Sequence, residues 1–303
     1  RINATAGRER EYELRPAVTK KRVVVVGSGP AGMEAARVAA LRGHAVTLLE
    51  KEPFLGGGMN LAAVVKGTER EEMLKIVDYL TSQIRKAGVD VRKKTEATRA
   101  VVAGLEPDVV VVAVGGRHNV PDIPGMSSKK VMTGEELHHR LKFYLRLMGA
   151  RMMTRLVRVY LPVGKRVVIV GGTIQGCETA EMLAKAGREV TIVEPGSEMG
   201  EGLLHRLVKP QLLHWLDEKG VTMLTGAEPV EVNDEGLVIT TEGGGRQVIP
   251  ADTVVTALPL SPDAGLADGL KDVASEMHFI GDCKEPGLVV DAVADGAAVA
   301  RAI

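Results

Sequence analysis

The 303-residue chain contains an internal repeat that constrains its fold more than any other feature. Residues 21–50 recur as residues 165–194, an offset of 144 that holds without a gap. About half of the thirty paired positions are identical. Two copies of one supersecondary unit predict two domains built on the same plan.

Each copy has the pattern of a strand, a glycine turn, a helix and a second strand. The apolar run at 23–26 is typical of a strand buried on both faces of a parallel sheet. Residues 33–41 favour helix and stop at Gly43, a natural C-terminal cap. Further strands are expected at 108–114 and 252–257, and a terminal helix from about Leu288. The chain is therefore predicted to be an α/β protein with two doubly wound, Rossmann-like domains.

The first copy carries the sequence GSGPAG at residues 27–32, between the strand and the helix. In such a loop the first glycine makes the turn, the second lets the backbone approach a pyrophosphate, and the third lets the helix pack on the sheet. The pyrophosphate then lies at the N-terminus of the helix. Glu50, 23 residues after Gly27, is placed to accept hydrogen bonds from ribose hydroxyls. This combination predicts a dinucleotide site.

The second copy departs from the glycine pattern at one position. Gly171 and Gly176 hold the outer positions, but Thr173 replaces the middle glycine. Its Cβ is expected to hinder backbone approach to phosphate, although its hydroxyl could donate to a phosphate oxygen. Glu194 would repel a 2′-phosphate by about 1 to 4 kcal/mol, which predicts NADH over NADPH. A decayed copy that binds nothing is the alternative.

Composition excludes several functional classes. Lys plus Arg and Asp plus Glu each total 39, so no global field attracts nucleic acid or membrane. Cys177 and Cys283 form no CxxC, which excludes a disulfide framework and predicts a reducing, cytoplasmic location. Cys177, at the start of a helix, is interpreted as a packing residue rather than a reactive thiol. The seven histidines are dispersed, so no metal site is expected.

The motifs together resemble the NADH:flavin oxidoreductases that include bacterial 2,4-dienoyl-CoA reductase and 2-enoate reductase. Besides GSGPAG, the resemblance rests on GGGMNLA at 56–62, IPG at 123–125, GCETA at 176–180 and IGDC at 280–283. It covers the C-terminal part of that family and nearly all of this chain. Members often have Gln where this chain has Gly58.

The resemblance implies a domain arrangement and a route for electrons. Residues 1–125 and 260–303 would form an FAD-binding domain, with an NAD(H)-binding domain inserted at 126–259. Hydride would pass from NADH to FAD, and electrons would continue to a [4Fe–4S] cluster and an FMN barrel that reduces enoates or enoyl-CoA-type substrates. Both belong to an N-terminal region that would precede this chain, which would begin just beyond the cluster. That region and NADH are the expected partners.

The candidate cofactor-binding residues fall into two groups, and no catalytic side chain is expected because hydride transfer is the cofactors' own chemistry. Asp282, before the terminal helix, is interpreted as a contact to a ribityl hydroxyl of the flavin. The FAD candidates are Gly27, Ser28, Gly29, Pro30, Ala31, Gly32, Glu50, Lys51, Gly57, Gly58, Met59, Asn60, Ala113, Gly115, Gly281 and Asp282. The NADH candidates are Gly171, Gly172, Thr173, Ile174, Gly176, Glu178 and Glu194.

Two interpretations stay open at the level of sequence. The basic, amphipathic segment 137–160 favours a connector helix, with a membrane surface or the barrel as alternative contacts. The whole chain could also be a stand-alone reductase for a separate iron–sulfur protein, or a non-catalytic nucleotide-binding module.

Overall fold

The computed structural model describes residues 3–66, 70–137, 139–140, 143, 163–203, 208–263 and 265–303. The chain divides into two compact units. The first includes Arg1–Ala63, Arg70–Arg117 and Leu260–Ile303, and the second includes His118–Pro259. Each unit contains one copy of the repeat, and the second interrupts the first, so the predicted fold class is confirmed. In the described residues no helix is long and apolar enough to cross a membrane.

The first unit contains a parallel five-stranded sheet. Its strands are β1 (Arg22–Val26), β2 (Ala45–Glu50), β3 (Asp90–Lys93), β4 (Val109–Val112) and β13 (Glu276–Phe279). Their order across the sheet is β13-β4-β1-β2-β3. Its helices are α1 (Pro30–Leu41), α2 (Met59–Lys66), α3 (Arg70–Lys86), α4 (Arg99–Ala103), α7 (Gly265–Leu270) and α8 (Val289–Ala302), with a 3₁₀ turn at Gly281–Cys283.

The core of this unit explains why the valine runs form strands. All four residues of β4 are buried completely, as expected for a central strand covered on both faces. The terminal helix packs so closely on α1 that a Cβ on Gly296 would overlap the carbonyl oxygen of Ala31. This approach brings the 3₁₀ turn before α8 to the N-terminal end of α1, because Gly281 also lies against Ala31.

The second unit has a parallel sheet and a smaller antiparallel one. The strands are β5 (Val131–Met132), β6 (Arg166–Val170), β7 (Glu189–Glu194), β8 (Thr222–Thr225), β9 (Ala227–Val232), β10 (Gly236–Thr241), β11 (Arg246–Pro250) and β12 (Thr253–Thr256). The order in the parallel sheet is β5-β12-β6-β7-β8, and that in the antiparallel sheet is β11-β10-β9. The helices are α5 (Ile174–Lys185) and α6 (Val208–Glu218).

The repeat extends further in space than the sequence alignment of the first two strands indicates. The carboxylate of Asp108 accepts from the Arg22 N–H at 2.7 Å, and that of Asp252, 144 residues later, accepts from the Arg166 N–H at 2.9 Å. β4 and β12, which each pair with the first strand of the repeat, therefore start in the same way. What differs is the segment before them, where the second unit has the antiparallel sheet between β8 and β12.

The division between the units falls at 117/118 rather than at the predicted 125/126. Ile123 packs against the core of the second unit, and the Val232 N–H donates to the Pro124 carbonyl at 2.9 Å. Residues 118–125 therefore belong with the inserted unit. The predicted basic helix 137–160 lies, apart from four of its residues, outside the described part of the chain.

Candidate dinucleotide-binding sites

In the glycine loop of the first unit, close backbone contacts require glycine at two positions. Gly27 has a φ of +100°, and a Cβ there would overlap the Ala113 carbonyl oxygen. A Cβ on Gly32 would overlap the Gly27 carbonyl oxygen. Only glycine fits these two positions, because the turn is left-handed at the first and α1 crosses the loop closely at the second. Ala113 thus supports the loop from the end of β4.

Glu50 holds this loop with both of its carboxylate oxygens. Oε2 accepts from the Ser28 N–H at 3.0 Å and from the Ser28 hydroxyl at 2.5 Å, and Oε1 accepts from the Glu52 N–H at 2.8 Å. Ser28 and Glu50 are both buried. The predicted ribose ligand is therefore also the anchor of the loop, a role that the spacing alone does not indicate.

The middle of the loop is open where a pyrophosphate would lie. A Cβ on Gly29 would meet no heavy atom within 4 Å, and the same holds for Gly58. Gly57 lies against Gly29, since a Cβ on Gly57 would be 3.1 Å from the Cα of Gly29. The first N–H groups of a helix have no partner within it, so the N-terminus of α1 offers donors to this space. The first unit therefore fits a dinucleotide phosphate.

A second segment closes on the loop and is fixed by a buried amide. The Gly56 N–H donates to the Ser28 carbonyl at 3.0 Å, and Asn60 Nδ2 donates to the Leu55 carbonyl at 2.8 Å. Asn60 and Met59 are buried at the start of α2. These two candidates therefore shape the segment 55–58, whereas Lys51 is exposed.

Asp282 lies in the turn that precedes α8. Burial raises the pKa of its carboxyl group, and a hydrogen bond from the Gly287 N–H, at 3.2 Å, opposes that rise. The turn is fixed by Asp295, whose Oδ2 accepts from the Gly281 N–H at 2.9 Å. Gly281 has a φ of +63° and faces Ala31. The structure thus brings Asp282 to the same end of α1 as the glycine loop. Gly115, with a φ of +87°, follows β4.

The loop of the second unit requires glycine at the two corresponding positions for the same reason. Gly171 has a φ of +106°, and a Cβ there would lie 2.6 Å from the Ala257 carbonyl oxygen. A Cβ on Gly176 would overlap the Gly171 carbonyl oxygen. Ala257 is the counterpart of Ala113, at the same offset of 144 residues. The two outer glycines therefore serve the same purpose in both copies.

Glu194 anchors the second loop with fewer hydrogen bonds than Glu50. Its Oε2 accepts from the Gly172 N–H at 2.6 Å, and its Oε1 accepts from the Gly196 N–H at 2.8 Å. Gly172 has no hydroxyl to add, and a side chain there would overlap the sulfur of Met199. The sequence does not predict this contact with Met199. The half-buried Glu194 keeps its carboxylate at the tip of β7, beside the loop.

Thr173 fits its position without backbone strain. Its φ is −70° and that of Gly29 is −64°, so the middle position of this loop needs no left-handed residue. The Thr173 hydroxyl donates to Gln175 Oε1 at 2.9 Å. The Ile174 N–H donates to the Glu201 carbonyl at 2.9 Å, and Glu178 is half-buried one turn further along α5. Gln175 was not among the predicted site residues.

Both cysteines are packing residues. Cys177 and Cys283 are buried, and their thiols donate to backbone carbonyls, that of Cys177 to Gly172 at 3.3 Å. Burial raises the pKa of Cys177 to about 11 and also raises that of Cys283. The thiols belong to different units. Neither is a thiolate near neutral pH.

A model of the pyridine nucleotide-disulphide oxidoreductase family matches residues 21–296. The chain belongs to this family. It is therefore an oxidoreductase, and its cofactors are FAD and NAD(H), as predicted. The family's name refers to disulfide chemistry. The two cysteines of this chain are buried and form no pair, so they provide no redox-active disulfide.

Relatives share most of this chain and extend well beyond it. It is 34% identical to bilirubin reductase of Mediterraneibacter gnavus over 94% of its length, and 34% identical to NADH oxidase of Thermoanaerobacter brockii over 99%. The chain covers 41% and 44% of those proteins. A solved structure of 2-naphthoyl-CoA reductase has a TM-score of 0.83 at 32% identity, with 96% of this chain and 41% of that one covered. The chain spans less than half the length of each. These similarities confirm the predicted resemblance.

Proposed function

We propose that this chain is the NADH-oxidising flavin module of a larger reductase. The first unit binds FAD and the second binds NADH. When bound, the two cofactors supply hydride transfer from the nicotinamide to the isoalloxazine. The observation that carries the proposal is the pair of loops in which an acid at the tip of the second strand holds a glycine turn open at the N-terminus of a helix.

In the first unit, the chain's own groups bind and orient FAD. The N–H groups at the start of α1 donate to the pyrophosphate in the space beside Gly29. Glu50 holds that loop and faces the adenosine ribose, and Asp282 accepts from a ribityl hydroxyl. The dipole of α8 would favour the negative charge of a reduced flavin held near the N-terminus of this helix. Asp291, in the first turn, accepts from the Leu288 N–H at 2.9 Å and moderates that field.

In the second unit, the groups of the chain select the nucleotide. Glu194 accepts from the adenosine ribose hydroxyls of NADH, and its charge disfavours the 2′-phosphate of NADPH. The relatives extend well beyond this chain, which supports onward transfer of electrons from FAD to a further region. The names bilirubin reductase and cinnamate reductase support reduction of conjugated double bonds there. We propose that this region carries the iron–sulfur cluster and FMN, and that its substrates are enoates or enoyl-CoA-type molecules.

An anaerobic stopped-flow titration of the FAD-loaded protein tests the proposal. Absorbance near the flavin band should fall quickly with NADH and at least about tenfold more slowly with NADPH at equal concentration. Equal rates with both nucleotides would contradict the role of Glu194. An unchanged spectrum with both would contradict the module's function.

A further inference from the structure

Two side chains distinguish the second dinucleotide loop from the first at the N-terminus of its helix. Thr173 stands where the first copy has Gly29, and Gln175 stands where it has Ala31. Both replacements introduce hydrogen-bonding groups. They point to a different way of holding the phosphates of the second nucleotide.

The surroundings explain why the first copy has a small residue at this register. Ala31 is buried with its Cβ against Gly281, which restricts the room for a longer side chain. Gln175 is only half-buried on the first turn of α5. The Gln175 side chain is therefore not enclosed by the protein as Ala31 is.

A hydrogen bond to Thr173 orients the side-chain amide of Gln175. Its Oε1 accepts from the Thr173 hydroxyl at 2.9 Å. Because Oε1 is engaged by Thr173, the remaining polar group of the amide is Nε2, which has two N–H donors and no acceptor. Donors at the N-terminus of a helix match an anion.

We propose that Gln175 binds the pyrophosphate of NADH through Nε2, with Thr173 as the positioning residue that orients it. The inference rests on the proposed function, because it assigns a phosphate ligand within the NADH site. The Ile174 N–H is used by the Glu201 carbonyl, and a Cβ stands at residue 173. The Gln175 amide supplies a donor that reaches past this Cβ.

The test compares Gln175→Glu with the unsubstituted protein. Glutamate has the same shape and favours the first turn of a helix, so α5 is expected to fold. The substitution removes the donor and adds a charge beside the pyrophosphate. We expect the dissociation constant for NAD⁺, measured by calorimetry, to rise at least about tenfold, as for a lost hydrogen bond to a charged group. Gln211→Glu, exposed on α6 of the same unit, is the matched control and should leave it within about twofold.

A donor without a phosphate separates this role from a merely structural one. Reduced nicotinamide riboside carries the reacting ring and no pyrophosphate. The ratio of flavin reduction rates with NADH and with the riboside, at equal low concentrations, should fall at least about tenfold in Gln175→Glu. An unchanged ratio would overturn the inference, because both rates would then have moved together or not at all.

Thr173→Val tests the positioning role. It keeps the shape of residue 173 and removes the hydroxyl that orients Gln175. It should weaken NAD⁺ binding in the unsubstituted background and have no further effect in Gln175→Met. Additive losses would overturn the role of Thr173. Binding of NAD⁺ without flavin reduction by NADH would contradict the proposed function alone, whereas absence of binding to the unsubstituted protein would contradict both.

Discussion

Glu50 in the first unit is buried and accepts three hydrogen bonds, whereas its counterpart Glu194 is half-buried and accepts two. The difference comes from one position in the loop, since Ser28 has a hydroxyl and Gly172 has none. Met199 covers Gly172 instead. The second acid therefore has more of its surface available to a nucleotide.

Some positions of the duplicated loop can diverge and others cannot. Where backbone meets backbone, as at Gly32 and Gly176, both copies keep glycine. Where the loop faces open space, as at Gly29 and Thr173, the copies differ although their backbone angles are nearly the same. The positions where backbone meets backbone thus stay fixed, whereas positions whose neighbours are side chains or open space can change, as Ser28 and Gly172 also do.

The largest expected effect separates the two copies by cofactor. Gly32→Ala places a methyl group on the Gly27 carbonyl and should abolish FAD binding, while Gly176→Ala should retain FAD and lose reduction by NADH. The FAD-to-protein absorbance ratio and stopped-flow reduction measure the two outcomes. Gly269→Ala, where a Cβ meets nothing within 4 Å, is the control and should change neither. Loss of FAD in Gly176→Ala would break the assignment of one cofactor to each unit.

The two acids should differ in their contribution to stability. Glu50→Gln leaves buried donors facing an amide, and hydrogen bonds to charged groups contribute about 1.5 to 3 kcal/mol. The temperature of FAD release should fall by about 5 to 10 °C, and by less in Glu194→Gln. The latter should raise kcat/KM for NADPH about tenfold. If both variants release FAD at the same temperature, the third hydrogen bond of Glu50 adds nothing.

A third variant gives the first loop the residue that the second loop has at its middle position, Thr173. Gly29→Thr should leave the melting temperature of the FAD-free protein within about 2 °C, because φ is −64° and a Cβ meets no atom within 4 Å. FAD affinity should fall about tenfold, because the side chain enters the pyrophosphate space. Gly29→Ala should lie between the two in calorimetric titration with FAD. Unchanged FAD affinity in Gly29→Thr would show that the pyrophosphate lies elsewhere.

The repeat and the alternation of strand and helix predict most of the fold, because buried parallel strands and glycine turns leave local patterns. Gly27, Gly32 and Glu50 follow from their spacing in the same way. The contacts of Met199 and Gln175 do not, since they depend on how side chains meet in space. The boundary at 117/118 rests on the contact of Pro124 with Val232, which lies far away in sequence.

The smallest expected effect is a pH dependence of stability that comes from His44. The residue 144 positions later, in the second copy, is Arg188. Burial, then Arg42 and Lys21, lower the pKa of His44. Its Nδ1 accepts from the Lys21 N–H at 3.1 Å, which protonation would prevent. A lowered histidine pKa favours the neutral form in the folded state, so stability is present above the unfolded pKa of about 6.5 and is lost as pH falls through the folded value. Arg188 has a guanidinium in place of the imidazole, which cannot accept such a hydrogen bond.

The temperature of FAD release should therefore decrease slightly between pH 7 and pH 5, and this decrease should be smaller in His44→Gln, whose amide oxygen can still accept from the Lys21 N–H. The carboxylates paired with cations, such as Glu276 with Lys21, have lowered pKa values and lose their contribution only as pH falls below about 4.5, outside this window. A decrease of equal size in His44→Gln would place the acid sensitivity elsewhere. A decrease confined to the unsubstituted protein would show that the two copies differ in acid response through a single paired position.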